Sequence, residues 1–563
     1  MALFEGAELR RVSLVLAVAT ADGLFQALGI ASIMPFIAIL ADPSLTETSR
    51  FFIIAKEFLP AAFGDNLIWT TGLFALTVLV ISNALTILDY WLSLRLFNAQ
   101  RSRLSTRLLS LYLGKELLDF NRLKVTDMAT TILAEVERVV FETLMAGVNL
   151  LADIIVTLAI IGLLLVVNPL ATVMTVLVLG GGYLIVHLFT AREVERLGRA
   201  HAIAETGMFA SVSQALALFK EIKILGKGSY FVDRFRRPAR DVARITNRYE
   251  ILTFVPSQLI EVLAFGLILI IALHLSSQGG AHFNTIGMIA FYAFAAYRLV
   301  PVLKSLLDGF ESIRYGASVV EDLASELANS PASAAMAEVA AGSLRLRQSI
   351  VFEDVTFRYP GAKTNVLDRL DAVIPAATLT CIIGPSGAGK STLLDILLGL
   401  IQPDSGRCLI DGVVLDAGNR REWQRGIGYV PQQVQLVDGT LAENIALGET
   451  VIDHDRVEAS AKAAGIYRLA VEQMLNRFET LIGDGGHLLS SGERQRVGIA
   501  RALYHKPDIL LLDEATNELD ALAESSVLSH LLGLHGKTIV FVTHKQSIWE
   551  QADCVVQLAG PFE

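Results

Sequence analysis

Six long apolar stretches dominate the N-terminal half of this 563-residue chain and constrain its fold more than any other feature. They cover residues 12–41, 67–94, 139–167, 170–190, 251–276 and 283–307. Each reaches the roughly 20 apolar residues that a helix needs to cross about 30 Å of hydrocarbon. The first is longer than the apolar core of a secretory signal peptide, so we expect it to be retained as a span. The sequence therefore predicts an all-α bundle of six membrane spans.

The composition agrees with a chain that is part membrane protein and part globular protein. Hydrophobic residues make up 53% of it and charged residues 18%. The formal net charge of −10 argues against nucleic acid as a partner, because nucleic-acid-binding proteins carry a basic footprint. With 15 prolines and 3 cysteines, the disordered, collagen-like and disulfide-stapled classes are excluded as well.

The basic residues indicate how the spans are oriented. The connection between the second and third stretches carries eight Lys or Arg residues, and that between the fourth and fifth carries twelve. The opposite loops hold only Arg50 and Lys56. Because Lys and Arg are enriched in cytoplasmic loops, we expect both chain termini in the cytoplasm. The two basic connections are long and helix-patterned, so the helices should continue well past the bilayer.

Several polar residues lie inside the apolar stretches, where hydrocarbon makes them costly. Asp22 and Gln26 share one helical face of the first stretch, and Asn149, Asp153 and Thr157 share one face of the third. Four residues are the candidates for contacting a polar or charged cargo: Asp22, Glu261, Arg298 and Lys304. The alternative is that these residues pair between helices and only hold the bundle together.

The composition changes near residue 325. Residues 325–345 are rich in Ala and Ser and aperiodic, which is typical of a linker. After them, the runs IVFEDVTF, LTCIIG, IGYVP, ILLLDE and TIVFVTH alternate with helical patterns, which indicates a mostly parallel sheet covered by helices. We therefore expect a transmembrane domain at 1–324, a linker at 325–345 and an α/β domain at 346–563.

A glycine-rich segment follows the strand LTCII and opens the helix STLLDILLGL. It reads GxxxxGK[ST], the phosphate-binding P-loop, in the strand-to-helix context that this motif requires. Its members are Gly384, Pro385, Ser386, Gly387, Ala388, Gly389, Lys390, Ser391 and Thr392. Lys390 can reach the β- and γ-phosphates, and the Ser391 hydroxyl can ligate Mg²⁺. By itself the motif predicts nucleoside triphosphate binding and includes kinases and GTPases.

A second motif separates hydrolysis from phosphate transfer. The apolar strand of residues 509–512 ends in Asp513 and Glu514. An acid at the tip of a buried strand can hold Mg²⁺ through water, and a second acid beside it can polarise an attacking water. A kinase does not need the second carboxylate, because its nucleophile is the acceptor. Glu514 as a general base therefore indicates a hydrolase.

Residues 489–496, LSSGERQR, resemble the signature of ATP-binding-cassette proteins, which usually reads LSGGQ. Four further residues are similar to other cassette motifs: Tyr359 to the aromatic that stacks on adenine, Gln432 to the Q-loop, Asp520 to the D-loop and His544 to the switch histidine. The resemblance covers the whole globular half, and six spans followed by a cassette match the exporter arrangement. It implies ATP and Mg²⁺ as cofactors, with Ser391, Gln432 and Asp513 on the metal and with Glu514 and His544 catalytic.

Two departures from the family pattern bear on turnover. The signature carries Ser491 and Glu493 where Gly and Gln are commonest. The D-loop at residues 517–520 reads Asn-Glu-Leu-Asp rather than Ser-Ala-Leu-Asp. Ser490 and Gly492, which the family uses on the γ-phosphate, are retained. We therefore expect ATP hydrolysis to survive with an altered rate.

The resemblance also implies a quaternary structure and a mechanism. In the family the P-loop of one subunit faces the signature of another, so two ATP sites form only in a dimer. One complete set of parts in this chain favours a homodimer. Residues 119–131 and 214–231 resemble the coupling helices that dock on the Q-loop region. The order of spans before cassette resembles bacterial exporters, which are multi-pass proteins of the inner membrane.

The first stretch bears on the cargo. Residues 23–43, GLFQALGIASIMPFIAILADP, resemble the same region of the PglK-type flippases of lipid-linked oligosaccharides. Such a cargo carries an anionic pyrophosphate, which Arg298 and Lys304 would offset. Residues 42–66 can form an amphipathic external helix on the bilayer or a plain helix over the span ends.

Other cargoes and functions stay open. A peptide exporter is the main alternative, because Asp22, Asp153 and Glu261 suit a cationic cargo, and a lipid A-type exporter is the next. An ATP-gated channel or sensor is disfavoured by Glu514, because purely regulatory cassettes often lose the base. A membrane-anchored kinase is disfavoured by the signature and by His544.

Overall fold

The computed structural model describes residues 6–41, 67–167, 169–277, 282–328, 344–483, 488–517, 521–533 and 536–559. The chain divides into two compact units. The first comprises Met1–Lys115 and Asn121–Met336, and the second comprises Glu116–Phe120 and Ala337–Glu563. The predicted external helix at 42–66 and most of the predicted linker lie outside the described residues, while residues 325–328 are still helical.

Six long helices make up most of the described part of the first unit. They are α1 (Gly6–Ala41), α2 (Leu67–Leu113), α3 (Ala146–Val167), α4 (Pro169–Ala217), α5 (Gly228–Ser277) and α6 (His282–Ala328). Before α3 the chain is helical at Val125–Thr130 and Val136–Arg138, with π-helical turns at Thr131–Glu135 and Val139–Met145. A short helix at Phe219–Leu225 lies between α4 and α5. As expected, the helices extend beyond the apolar stretches into the basic connections.

Three helical stretches are long and apolar enough to cross a membrane: Arg10–Ile37, Leu67–Leu113 and Val125–Val166. A fourth results if Leu188–Ala217 and Phe219–Leu225, which bend by 72° at their break, form one span. These figures concern only the described part of the chain, so the full number of six spans stays a prediction.

One buried apolar cluster of the first unit draws on five of the six helices. Its buried side chains are Ile30, Val156, Ile160, Leu164, Leu179, Ala264, Leu299, Val300 and Val302. The outer faces carry exposed apolar side chains instead, such as Val166 (86% exposed) and Phe189 (82% exposed). Apolar surface on this scale suits lipid rather than water.

A buried arginine ties the helical run before α3 to α4. The Arg138 Nη2 donates to Glu205 Oε2 at 2.5 Å and lies 2.8 Å from His201 Nδ1.

Helices α4 and α6 cross closely at Gly198, one turn before His201. A Cβ on Gly198 would come within 2.1 Å of the Tyr315 carbonyl oxygen. The close crossing of α4 and α6 therefore requires glycine at this position.

Two sheets form the framework of the second unit. The antiparallel sheet has the order β2-β1-β4-β5, with β1 at Ser349–Phe357, β2 at Leu367–Pro375, β4 at Ser405–Ile410 and β5 at Val413–Val414. The parallel sheet has the order β6-β7-β8-β3-β9, with β3 at Leu379–Ile383, β6 at Ile427–Val430, β7 at Ile509–Asp513, β8 at Thr538–Val542 and β9 at Cys554–Gln557.

One predicted strand lies in the other sheet. The run IVFEDVTF forms β1, which pairs antiparallel with β2 in a register that places Val351 opposite Val373. Only residues 358–366 connect the two strands. A connection this short closes a hairpin, whereas a parallel neighbour needs a crossover of about a dozen or more residues. The other four runs form β3, β6, β7 and β8, as predicted.

In the described part of the second unit, seven helices follow the first strand along the chain. They are α7 (Lys390–Leu397), α8 (Arg420–Gln424), α9 (Leu441–Ile445), α10 (His454–Ala463), α11 (Ser491–Tyr504), α12 (Ala521–Leu532) and α13 (Gln546–Trp549). The second unit also contains the short helix Leu117–Phe120, a π-helical turn at Leu469–Gln473 and a 3₁₀ turn at Arg477–Glu479. Trp423 is 1% exposed, and its Nε1 donates to the Leu397 carbonyl oxygen at 2.6 Å, which joins α8 to α7.

Four parallel strands end at the same edge of their sheet. The P-loop follows β3, Gln432 follows β6, Glu514 follows β7 and His544 follows β8. Strand β8 lies between β3 and β7, so the P-loop, the acids and the histidine come from neighbouring strand ends. Ligands of open α/β sheets bind at this carboxyl edge.

Candidate functional site

The P-loop forms a cradle that only small residues allow. Gly389 has φ +89°, and a Cβ there would lie 2.8 Å from Leu367 Cδ2 and 3.0 Å from the Val366 carbonyl oxygen. Helix α7 begins at Lys390, directly after this glycine. Backbone N–H groups and the positive end of the helix dipole therefore meet at one place, as a phosphate requires.

Lys390 is held over this cradle. Its Nζ donates to the carbonyl oxygens of Gly384 at 2.8 Å and Pro385 at 2.9 Å, and the residue is only 7% exposed. Burial lowers the pKa of Lys390, while the carboxylates of Glu514 and Asp513 act in the opposite direction. A triphosphate fits here, because its oxygens can replace the two carbonyls as acceptors for a lysine that is already in position.

Tyr359 stands beside the first turn of α7. Its hydroxyl lies 3.2 Å from Thr392 Oγ1, and its ring packs edge-on against Phe357 at a centroid distance of 5.1 Å. Ser391, in the same turn, is exposed. The predicted adenine-stacking residue and the predicted Mg²⁺ ligand therefore both border the P-loop helix.

Glu514 is the centre of a polar cluster at the end of β7. Its Oε2 accepts from Gln432 Nε2 at 2.9 Å and from Asn517 Nδ2 at 3.0 Å, and its Oε1 lies 3.2 Å from His544 Nε2. Its φ is +49°, which is unusual for a residue with a side chain. Its backbone N–H donates to the Val542 carbonyl oxygen at 3.0 Å, which holds this conformation.

The candidate metal ligands are a carboxylate, a hydroxyl and an amide. Burial raises the pKa of Asp513, and the neighbouring Glu514 charge adds to the shift. Ser391 and Gln432 supply a hydroxyl and an amide. Among the described residues no group of three or more His, Cys, Asp or Glu side chains is arranged to hold a metal ion. This donor set fits Mg²⁺, which is usually bound by one or two carboxylates together with substrate phosphates.

The signature residues begin α11. Ser490 is the N-cap, and Ser491, Gly492 and Glu493 form the first turn. Ser490 and Glu493 bond reciprocally as a capping box, which satisfies two backbone N–H groups at the helix start. The departure at Glu493 is therefore compatible with a well-formed helix.

Of the four predicted cargo residues, the structure pairs Lys304 with Glu261 and gives Asp22 other partners. Lys304 Nζ donates to Glu261 Oε2 at 2.5 Å, which brings α5 and α6 together. Asp22 is 7% exposed and accepts from Gln26 at 2.9 Å and from Thr86 at 2.9 and 3.1 Å. The side chain of Arg298 and the predicted D-loop residue Asp520 lie outside the described residues.

Sequence reasoning missed two features of the chain. Asp89 lies on α2, and its carboxylate interacts electrostatically with Asp22 and Asp153. Its charge inside an apolar stretch was the available signal. Asn517 appeared only as a departure from the D-loop pattern, and its bond to Glu514 depends on a turn that no motif specifies.

Known proteins resemble the chain over both halves. The family described as ABC transporter matches residues 367–517. The ATP-dependent lipid A-core flippase of Cupriavidus pinatubonensis (strain JMP 134 / LMG 1197) is 31% identical over 450 residues, which cover 78% of this chain and 74% of the relative. The protein of the same description from Paraburkholderia xenovorans (strain LB400) is 28% identical over 445 residues, covering 78% and 73%.

A solved structure matches the fold. The structure of a bacterial Atm1-family ABC exporter with ATP bound has a TM-score of 0.80 to this chain, with 23% identity, and covers 98% of this chain and 94% of its own. The predicted fold class, a helical membrane-type region followed by an α/β cassette, is confirmed.

Proposed function

This chain belongs to the ABC transporter family and couples ATP hydrolysis to transport, and we propose that it moves an amphipathic glycolipid out of the cytoplasmic leaflet of the bacterial inner membrane. The observation that carries the hydrolytic part is the cluster of Gln432, Glu514 and His544 beside Lys390. The names of the similar flippases support a lipid cargo.

In the proposed reaction Glu514 takes the proton of the attacking water. One of its oxygens faces Gln432 and Asn517, and the other faces His544, so the carboxylate is fixed before ATP arrives. Lys390 exchanges its two carbonyl acceptors for phosphate oxygens, and His544 contacts the γ-phosphate. Mg²⁺, bound by Ser391, Gln432 and, through water, Asp513, would neutralise phosphate charge.

We infer a homodimer with two equivalent ATP sites. The chain supplies one P-loop and one signature, and the family arrangement pairs each P-loop with the signature of a second copy. Ser490 and Gly492 of that copy then approach the γ-phosphate, with Asp520 at the dimer contact. The assignment of residues 1–324 to the membrane, 325–345 to a linker and 346–563 to the cytoplasmic cassette belongs to this proposal, as do both termini in the cytoplasm.

The ion pair between Lys304 and Glu261 bears on the cargo. The two side chains are 26% and 41% exposed, so the pair is within reach of a ligand. An anionic headgroup can take the place of Glu261 on Lys304, and Arg298 would add a second cation. Both a lipid A-type headgroup and the pyrophosphate of a lipid-linked oligosaccharide have this chemistry. The flippase names favour the first, and the likeness of residues 23–43 to PglK-type flippases favours the second.

This exchange predicts opposite effects for two substitutions. Lys304→Ala should raise the glycolipid concentration for half-maximal stimulation of ATPase activity by about 12-fold to 150-fold, because a charged hydrogen bond contributes about 1.5–3 kcal/mol. Glu261→Gln should lower that concentration, because it removes the competing anion. Arg244→Gln, on an exposed stretch of α5, is the control and should change nothing. An equal rise of this concentration in Lys304→Ala and Glu261→Gln would show that the ion pair only holds the two helices together.

The cargo class is tested by ATPase measurements on the full chain in nanodiscs. The additions are a lipid A-core glycolipid, a polyprenyl-pyrophosphate oligosaccharide, a cationic peptide and a neutral glycolipid. We expect stimulation by one of the two anionic lipids, and the more effective one identifies the cargo type. Stimulation by the peptide alone would overturn the glycolipid proposal and would support a peptide exporter.

A further inference from the structure

The side chain of Glu493 holds the hydroxyl group of Ser490. One oxygen, Glu493 Oε2, accepts the Ser490 backbone N–H at 2.7 Å and the Ser490 hydroxyl at 2.8 Å. In return the Glu493 backbone N–H donates to Ser490 Oγ at 3.3 Å. The only proton of this hydroxyl is therefore committed to a carboxylate within its own helix cap.

This commitment conflicts with binding a phosphate. A serine hydroxyl has one proton to donate, and a γ-phosphate oxygen, like a carboxylate, can only accept it. Ser490 cannot donate to Glu493 and to ATP at the same time. Under the proposed function, on which this inference rests, the bond to Glu493 must break each time two cassettes close on ATP.

The charge of Glu493 strengthens this competition. A hydrogen bond to an ionised acceptor is roughly twice as strong as one between neutral groups. The carboxylate also places a negative charge one helical turn from where the γ-phosphate is proposed to bind. A glutamine here keeps both capping bonds, since either residue completes a capping box, but it holds the hydroxyl less tightly and carries no charge.

We infer that Glu493 is a positioning residue. Its carboxylate keeps the Ser490 hydroxyl hydrogen-bonded within the helix cap, and this bond raises the ATP concentration at which two cassettes close. It acts through Ser490 and leaves the chemistry at Glu514 untouched. We call the hydrogen bond from Ser490 Oγ to Glu493 Oε2 the Ser-to-Glu latch. Forming this latch is the role that we assign to the acid at position 493.

The chain contains a matched control for this latch. Thr440 and Glu443 form the same capping box at the start of α9, where Glu443 Oε2 accepts the Thr440 backbone N–H at 2.7 Å. Glu443→Gln removes the same charge from the same kind of helix start without touching Ser490. Any effect of lost charge or weakened capping in general will appear in both variants.

The test is steady-state ATPase kinetics of the full chain in nanodiscs. Glu493→Gln should lower the KM for ATP about fivefold with kcat within about twofold, because a charged hydrogen bond becomes a neutral one. Glu443→Gln should leave both constants unchanged. An unchanged KM in Glu493→Gln, or an equal shift in Glu443→Gln, would overturn the latch.

A double-mutant cycle with Ser490→Ala distinguishes the latch from a purely structural role of Glu493. Without the hydroxyl only the charge of Glu493 still acts on ATP, so Glu493→Gln should lower KM clearly less in the Ser490→Ala background than in the wild type. An equal shift with and without the hydroxyl would contradict the latch. Wild-type turnover that is lost in Glu514→Gln shows separately that the proposed hydrolysis stands, so failure of the latch and failure of the proposed function are distinguishable.

Discussion

Replacing Glu514 by glutamine is expected to lower ATP turnover by about 10²–10⁴-fold, the usual contribution of a positioned general base, while ATP still binds. The glutamine can keep the cluster intact. Its carbonyl oxygen can accept from Gln432 and Asn517 as Oε2 does now, and its amide can donate towards His544. What it cannot do is take a proton from water.

The expected state of this variant is a closed dimer with two ATP molecules. With ATP present, a crosslinker should join the two cassettes of this variant, and the crosslinked dimer should not form without ATP. Phosphate release should fall to background. Glu550→Gln, at an exposed position, is the matched control and should turn over normally. Hydrolysis by Glu514→Gln near the wild-type rate would show that another group is the base.

Replacing Lys390 by alanine should weaken the binding of ATP, in contrast to the loss of hydrolysis expected for Glu514→Gln. The lysine is the buried cation of the P-loop, and the interaction of such a group with phosphate oxygens contributes about 2–5 kcal/mol, which corresponds to about 30-fold to 4,000-fold in affinity. The carbonyls of Gly384 and Pro385 lose a donor, but Pro385 is exposed and water can replace it. The fold should therefore survive.

Equilibrium binding of a fluorescent ATP analogue measures this loss directly. Lys462→Ala, an exposed lysine of α10 paired with Glu458, should bind the analogue like the wild type. A Lys390→Ala variant with normal affinity would mean that the phosphates lie elsewhere. Together, the substitutions at Lys390 and Glu514 separate loss of binding from loss of hydrolysis.

Local sequence patterns predict most of the architecture. The six apolar stretches all lie in helices, because hydrocarbon requires every backbone group to bond within its own segment. The P-loop, Asp513, Glu514 and His544 meet because parallel strands place their carboxyl ends at one edge. The hairpin of β1 with β2 was missed because an apolar run specifies a strand but not its partner.

Contacts between distant segments are harder to predict. Lys304 and Glu261 are separated by 43 residues, and no local sequence pattern predicts that they form an ion pair. The positive φ of Glu514 depends on a backbone bond to β8. The latch at Ser490 is different, since the spacing S-x-x-E is itself a capping-box pattern and the bond could have been read from the sequence.

We propose that hydrolysis at Glu514 drives a lipid across the bilayer. The most direct measurement is the movement of a labelled anionic glycolipid between leaflets of proteoliposomes, with the wild type and Glu514→Gln compared at saturating ATP. We expect ATP-dependent movement by the wild type and none above empty liposomes by the variant. Equal movement by both proteins, or none by the wild type while it hydrolyses ATP with the glycolipid present, would contradict the account.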